Sequence, residues 1–273
     1  MSLRRLRAAL HLMQSVGSLN KLELLRSEAR WLAQNLSAAR DLDIFQGDTL
    51  PTIAKGCPSI AGFDDLSEVA ERHRLAAYGK VRAALATRRC TSFVIELGGW
   101  IEARSWRSDV APEGLGQLAE PAINFAHHML AEQHVKVLKR GRHFKSLTAE
   151  KRHRLRLAVK KLRYVADFLL PLYGQRKSAR RYSDKLAEFQ EELGSYNDMA
   201  VTASLLTGLG AAAGSTAAAA IAGWQAHAMV GTEARLRRAW RDFSKTRPPW
   251  AADAEDQPEH RRAPLTDRSA RPD

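Results

Sequence analysis

The chain has 273 residues, with 43 Lys and Arg against 30 Asp and Glu, a formal net charge of +13 and 45% hydrophobic residues. This balance excludes wholesale disorder. Two cysteines, Cys57 and Cys90, lie outside any ligand spacing, which excludes a disulfide framework and a zinc finger and fits a reducing, cytoplasmic setting.

Strand signals are nearly absent. Leu and Ala recur at three- and four-residue spacings, which predicts about eight helices. The first places Arg4, Arg7 and His11 on one face and Leu3, Leu6, Leu10 and Met13 on another. Its apolar run is short and broken by His11 and Gln14, so it does not read as a secretion signal. NLSAARDLD at 35–43 sets Arg40 beside Asp41. Residues 47–65, rich in Gly and Pro, read as a loop. Arg74 follows, with Lys80 nearby, and suits a surface ion pair or a groove wall equally. Residues 108–117 read as a second loop.

The positive charge is concentrated between His134 and Arg163, where twelve Lys and Arg face a single acid, Glu150. Lys136, Lys139 and Arg140 stand on or just after a helix, as rim contacts for an anion. Thr148 is placed to cap the next helix. On that helix His153, Arg156, Lys160 and Arg163 share a face, with Lys161 on the flank and Tyr164 at the border. Leu155, Val159, Leu162, Ala166 and Leu169 fall opposite and predict the buried side. A row of like charges repels itself, and an anion seated on it removes the repulsion.

Residues Pro171 to Gly174 end this helix. Glu188, Glu191 and Glu192 then form an acidic helix face, and Asp198, like Asp41, suits capping or orienting cations better than holding metal. From Met199 to Thr232 no residue carries a formal charge. Ala, Gly, Ser and Thr dominate there, which predicts two buried helices joined by a Gly-rich turn rather than a membrane span. GLGAAAGST at 208–216 lacks the lysine and the preceding strand of a nucleotide loop. His127, His128 and His134 give no metal spacing with Glu132. Trp100, Trp106, Trp224, Trp240 and Trp250 are expected in cores or at helix ends, and residues 251–273 as a disordered tail.

The chain repeats itself. RRLRAAL at 4–10 resembles KKLRYVA at 160–166, and NLSAARDLD resembles ELGSYNDMA at 192–200. The interval from Arg4 to Lys160 is 156 residues and that from Asp41 to Asp198 is 157. An interval held within one residue across two separate segments predicts a duplicated unit. The expected architecture is all-α: two four-helix bundles about a pseudo-two-fold axis, with a basic groove between their cationic stripes. Such a groove reads repeating charge rather than a base edge. RNA or DNA fits the charge equally, although the sequence shows no helix-turn-helix, RRM, KH or zinc-finger pattern.

HRLRLAVKKLRYVADFLLPLYG at 153–174, followed by LAEFQEELGSYNDMAV at 186–201, resembles the signature of the CHAD domain, the conserved histidine α-helical domain. RRLRAALHLM and LAQNLSAARDLDIF resemble its first half, and AWRDFSKTRPPW at 239–250 its C-terminal end. The resemblance covers roughly residues 1–250, with repeat one about 1–130 and repeat two about 131–250. It implies binding of inorganic polyphosphate on a basic surface, with His153 as the name-giving histidine, followed by Arg156, Lys160 and Arg163 and matched in the first half by Arg4 and Arg7. The first-half counterpart of His153 falls before Met1, so either the start lies elsewhere or one stripe is shortened. The ExExK signature of the CYTH triphosphatase domain found beside some CHAD domains is absent, so the expectation is binding without catalysis, metal or cofactor. Attachment to polyphosphate granules or their proteins is implied by resemblance alone.

Overall fold

The computed structural model describes residues 2–14, 20–110, 115–116, 119–210 and 215–251, and these residues are helical with no strand. Among the described residues ten α-helices run in order: α1 (Ser2–Met13), α2 (Asn20–Ile44), α3 (Leu50–Gly56), α4 (Phe63–Leu85), α5 (Arg88–Glu102), α6 (Trp106–Asp109), α7 (Ala122–Gly141), α8 (Ala149–Leu169), α9 (Lys177–Gly208) and α10 (Thr216–Lys245). The expected all-helical class holds.

Local chemistry sets the boundaries. Thr148 starts α8 as predicted, its Oγ1 accepting from the Lys151 amide at 3.3 Å. Thr87 and Ser215 cap α5 and α10 in the same way. Pro171 sits in a 3-10 turn, Leu170–Tyr173, and Gly174 ends it at φ +64°, a conformation that disfavours a Cβ.

The largest core joins α7, α8, α9 and α10. Leu155, Val159, Leu162 and Ala166 of α8 are within 1% of complete burial, on the predicted face. A second core joins α1, α2 and α5 through Leu10, Leu22, Leu25, Phe93 and Trp100. Helix α1 belongs to both: Leu10 enters the second core, while Leu12, on the other side of the helix, enters the first. A third core packs the end of α9 and the start of α10 against α3 and α4.

Three expectations need correction. Residues 47–65 are not all loop: a π-helical turn (Phe45–Thr49) runs into α3. Leu50 and Ile53, three apart, are buried there, and Pro51 falls just after the junction of the π-turn with α3. In the segment 108–117, Ser108, Asp109, Leu115 and Gly116 are helical rather than loop, and residues 111–114 and 117 lie outside the described residues. The uncharged stretch is only half buried: Ala217, Ala218 and Ile221 are core, but Trp224 is 41% and Val230 80% exposed. Trp100 and Trp250 are buried as expected. Among the described residues no helix is long and apolar enough to cross a membrane. The predicted tail, apart from Ala251, lies outside the described residues.

Candidate polyanion cleft

Helices α1, α2 and α8 enclose a cleft of about 380 Å³. Helix α1 contributes Arg4, Arg7 and His11; α2 contributes Arg26 and Arg30; α8 contributes Lys160, Lys161 and Tyr164. Six permanent cations thus line one concavity, with no carboxylate among the lining residues. The geometry follows from α1's two apolar sides. With Leu10 and Leu12 committed to different cores, the strip between them carries Arg4, Arg7 and His11 toward α8. Arg5 adds a tie, its guanidinium 5.6 Å from the Phe168 ring centre.

The electrostatics record the crowding. Lys160 is half-buried, and its pKa is lowered by burial first and then by Arg156, Arg4 and Arg7, with Asp198 opposing. Lys161 is lowered by burial and by Lys136, Arg140 and Arg26, with Glu132 opposing. His11 is lowered by burial, Lys161 and Arg26, although the Gln14 side chain, 3.1 Å from its Nδ1, favours the charged form. Arg156 lies one turn along α8 from Lys160, and its Nε is buried without a hydrogen-bond partner. Burial disfavours its charge, and Asp198 favours it. Asp41 is pushed up by burial and by Asp198, against Arg4 and Lys160. The positions paired by the 156- and 157-residue intervals therefore influence each other directly: Arg4 acts on Lys160, and Asp198 on Asp41.

The remaining sequence candidates lie at various distances from this centre. His153 is exposed on α8, about 10 Å along the helix axis from Lys160. Arg163 does not line the cleft; its Nε donates to Asp167 at 2.9 Å. Lys136 pairs with Glu132 on α7. Arg140 donates to the Arg154 carbonyl at 3.2 Å, and Lys139 is exposed. Arg40 is exposed on α2. Arg74 is a surface ion pair rather than a groove wall: it holds Glu71 at 2.7 Å and Asp43 at 3.1 Å and lies over Tyr78. The pattern missed Arg26 and Arg30. Their four-residue spacing on α2 was a usable signal.

A family model for the CHAD domain matches residues 1–207. The chain belongs to the CHAD domain family. It is similar to the crystal structure of the CHAD domain from the plant Ricinus communis, at 29% identity and a TM-score of 0.70, over 90% of this chain and 79% of that one. PptA from Streptomyces chartreusis shares the fold at 15% identity and a TM-score of 0.59, over 90% of this chain and 86% of that one. No curated protein matches in sequence. The family is associated with polyphosphate binding in general.

Proposed function

We propose that the protein binds inorganic polyphosphate along the α1–α2–α8 cleft and does not hydrolyse it. One observation carries this reading: six Lys and Arg and one His converge on a single concavity without a lining carboxylate. The half-buried Lys160 and Lys161 bear charge that burial and neighbours disfavour, and a linear polyanion offsets both penalties. Arg156 and the exposed His153 extend the same face of α8 and lengthen the path for a repeating ligand. Binding without catalysis is favoured because no carboxylate is among the lining residues, and the nearby Asp41 and Asp198 act as counter-charges to Arg4, Lys160 and Arg156. Attachment to polyphosphate granules in the cytoplasm, with the proteins found there as partners, rests on the family resemblance and would give this binding a biological setting.

RNA or DNA is the rival ligand. Tyr164 and the His11 imidazole are the only rings among the residues lining the cleft, which gives successive bases little to stack on. Titration with long-chain polyphosphate, beside RNA of equal phosphate content, across a salt series separates the two. Polyphosphate is expected to stay bound at physiological salt while RNA is lost. Equal affinities that collapse together as salt rises would overturn the assignment.

A further inference from the structure

A second basic concavity shares no lining residue with the cleft. It lies where the turn after α7 meets the last turns of α10 and encloses about 900 Å³. Arg142 and Lys145 line it from the turn, and Arg237, Arg238 and Arg241 from α10. His143 lies beside them, and no carboxylate is among the lining residues.

Its floor is firmly packed. A Cβ at Gly141 would lie 2.2 Å from the Trp240 ring, so the glycine lets the turn close onto the indole. Phe144 stacks on Trp240 at 11° with centroids 5.5 Å apart, and Phe189 packs at 5.4 Å. Compensation of the charge above this floor is incomplete. Arg237 donates to Glu233 at 2.9 Å, and Arg241 stands 3.5 Å from Asp242. The side chains of Arg142, Lys145 and Arg238 form no ion pair with a described residue.

The geometry points to a second oligophosphate site here, which makes one polypeptide bivalent for polyanion. Five cations on a shallow, rigid floor repel one another until an anion bridges them, and guanidinium forks suit phosphate oxygens. The aromatic residues do not extend an invitation to bases, because Phe144 is buried and Trp240 is stacked against it. A bare phosphate chain therefore fits better than a nucleic acid. The ligand class rests on the polyphosphate reading above; the location does not.

Calorimetric titration of the full chain with a short oligophosphate of defined length tests the site. Wild type is expected to take up two molecules. Arg142→Glu/Arg238→Glu should take up one with the affinity of the cleft, and Arg7→Glu/Lys160→Glu one with the affinity of the second site. The neutral pair Arg142→Gln/Arg238→Gln should weaken the second site at least about tenfold. Circular dichroism verifies that each variant keeps its helices. A wild-type stoichiometry of one, unchanged in Arg142→Glu/Arg238→Glu, overturns the second site and leaves the cleft standing. Loss of all binding in that variant, with none lost in Arg7→Glu/Lys160→Glu, overturns the cleft instead. If the Glu pair weakens binding and the Gln pair does not, the effect is long-range repulsion and the site is overturned. Displacement from the second site by RNA of equal phosphate content overturns the ligand class.

Discussion

His134 on α7 and Tyr182 on α9 share a hydrogen bond of 2.8 Å between Nδ1 and Oη, inside an aromatic cluster with Phe243 and Trp250. Tyr182 is fully buried, and burial pushes its phenol well up, so it keeps its proton. His134 is 7% exposed, and burial lowers its pKa to about 4. Its work is internal, as a hydrogen-bond partner within the core. Phenylalanine at 182 would leave the imidazole nitrogen without a partner and should cost about 1–3 kcal/mol, read as a lower urea midpoint at unchanged m-value.

The same histidine sets a pH dependence of stability. In the unfolded chain the imidazole takes a proton below about 6.5; in the native core it resists until about 4. The unfolded state thus binds more protons in this window, and stability falls as pH drops through it. The loss reaches at most about 3 kcal/mol below pH 4. Urea unfolding of wild type and His134→Gln at intervals between pH 7 and 4 should give curves that converge toward acid; parallel curves would refute it.

Gly141 offers a test in which two effects oppose each other. Alanine is the better helix former by about 1 kcal/mol. Its Cβ would however lie 2.2 Å from Trp240, which is held by Phe144 and Phe189. Overpacking costs about 1–3 kcal/mol and should win. Gly141→Ala is expected to melt a few degrees lower than wild type; a higher Tm would show that the indole yields freely.

Arg7→Glu/Lys160→Glu reverses two lining charges on facing helices. Each charge-assisted contact is worth about 1.5–3 kcal/mol, so their loss predicts polyphosphate binding at least about 100-fold weaker. Arg163→Glu should change little by comparison, because Asp167 already engages that guanidinium. Fluorescence anisotropy with labelled polyphosphate ranks the two variants.

Affinity should also respond to His11. Free, its pKa is held below the usual 6.5 by burial and by Lys161 and Arg26. A bound polyanion counters those cations and raises it, so the complex carries more proton than the free protein. Affinity then rises as pH falls from the raised pKa of the complex toward the lowered pKa of the free protein, by at most about tenfold per unit. His11→Gln should flatten that part of a plot of affinity against pH between 8 and 5.5.

Much of α8 was legible from its own residues. Thr148 announced the cap, and the Leu155–Val159–Leu162–Ala166 stripe announced the buried side. Arg26 and Arg30 escaped notice: their four-residue spacing marks a shared face of α2, but periodicity within one helix does not say that this face meets α1 and α8. Arg163 entered the stripe by spacing and by the family resemblance; the structure adds that the acid four residues on, Asp167, engages its guanidinium. The short α3 was hidden by its Pro and Gly, although the Leu50–Ile53 pair already marked a buried turn. Trp224 illustrates the converse, since an uncharged surrounding sequence suggested burial that the fold does not provide.

Helix α1 is only 12 residues long, and helices of that length are marginal on their own in water. It is attached through Leu10 and Leu12, each inserted into a different core, and through Leu3, Leu6 and Met13 packed beside Leu10, while its exposed strip holds cations that push against those of α8. Ligand arrival would turn that push into a clasp. The N-terminal segment then serves as a built-in occupancy gauge: its amide protons should exchange quickly in the empty protein and slow down as the cleft fills, while those of the α8 interior stay locked throughout.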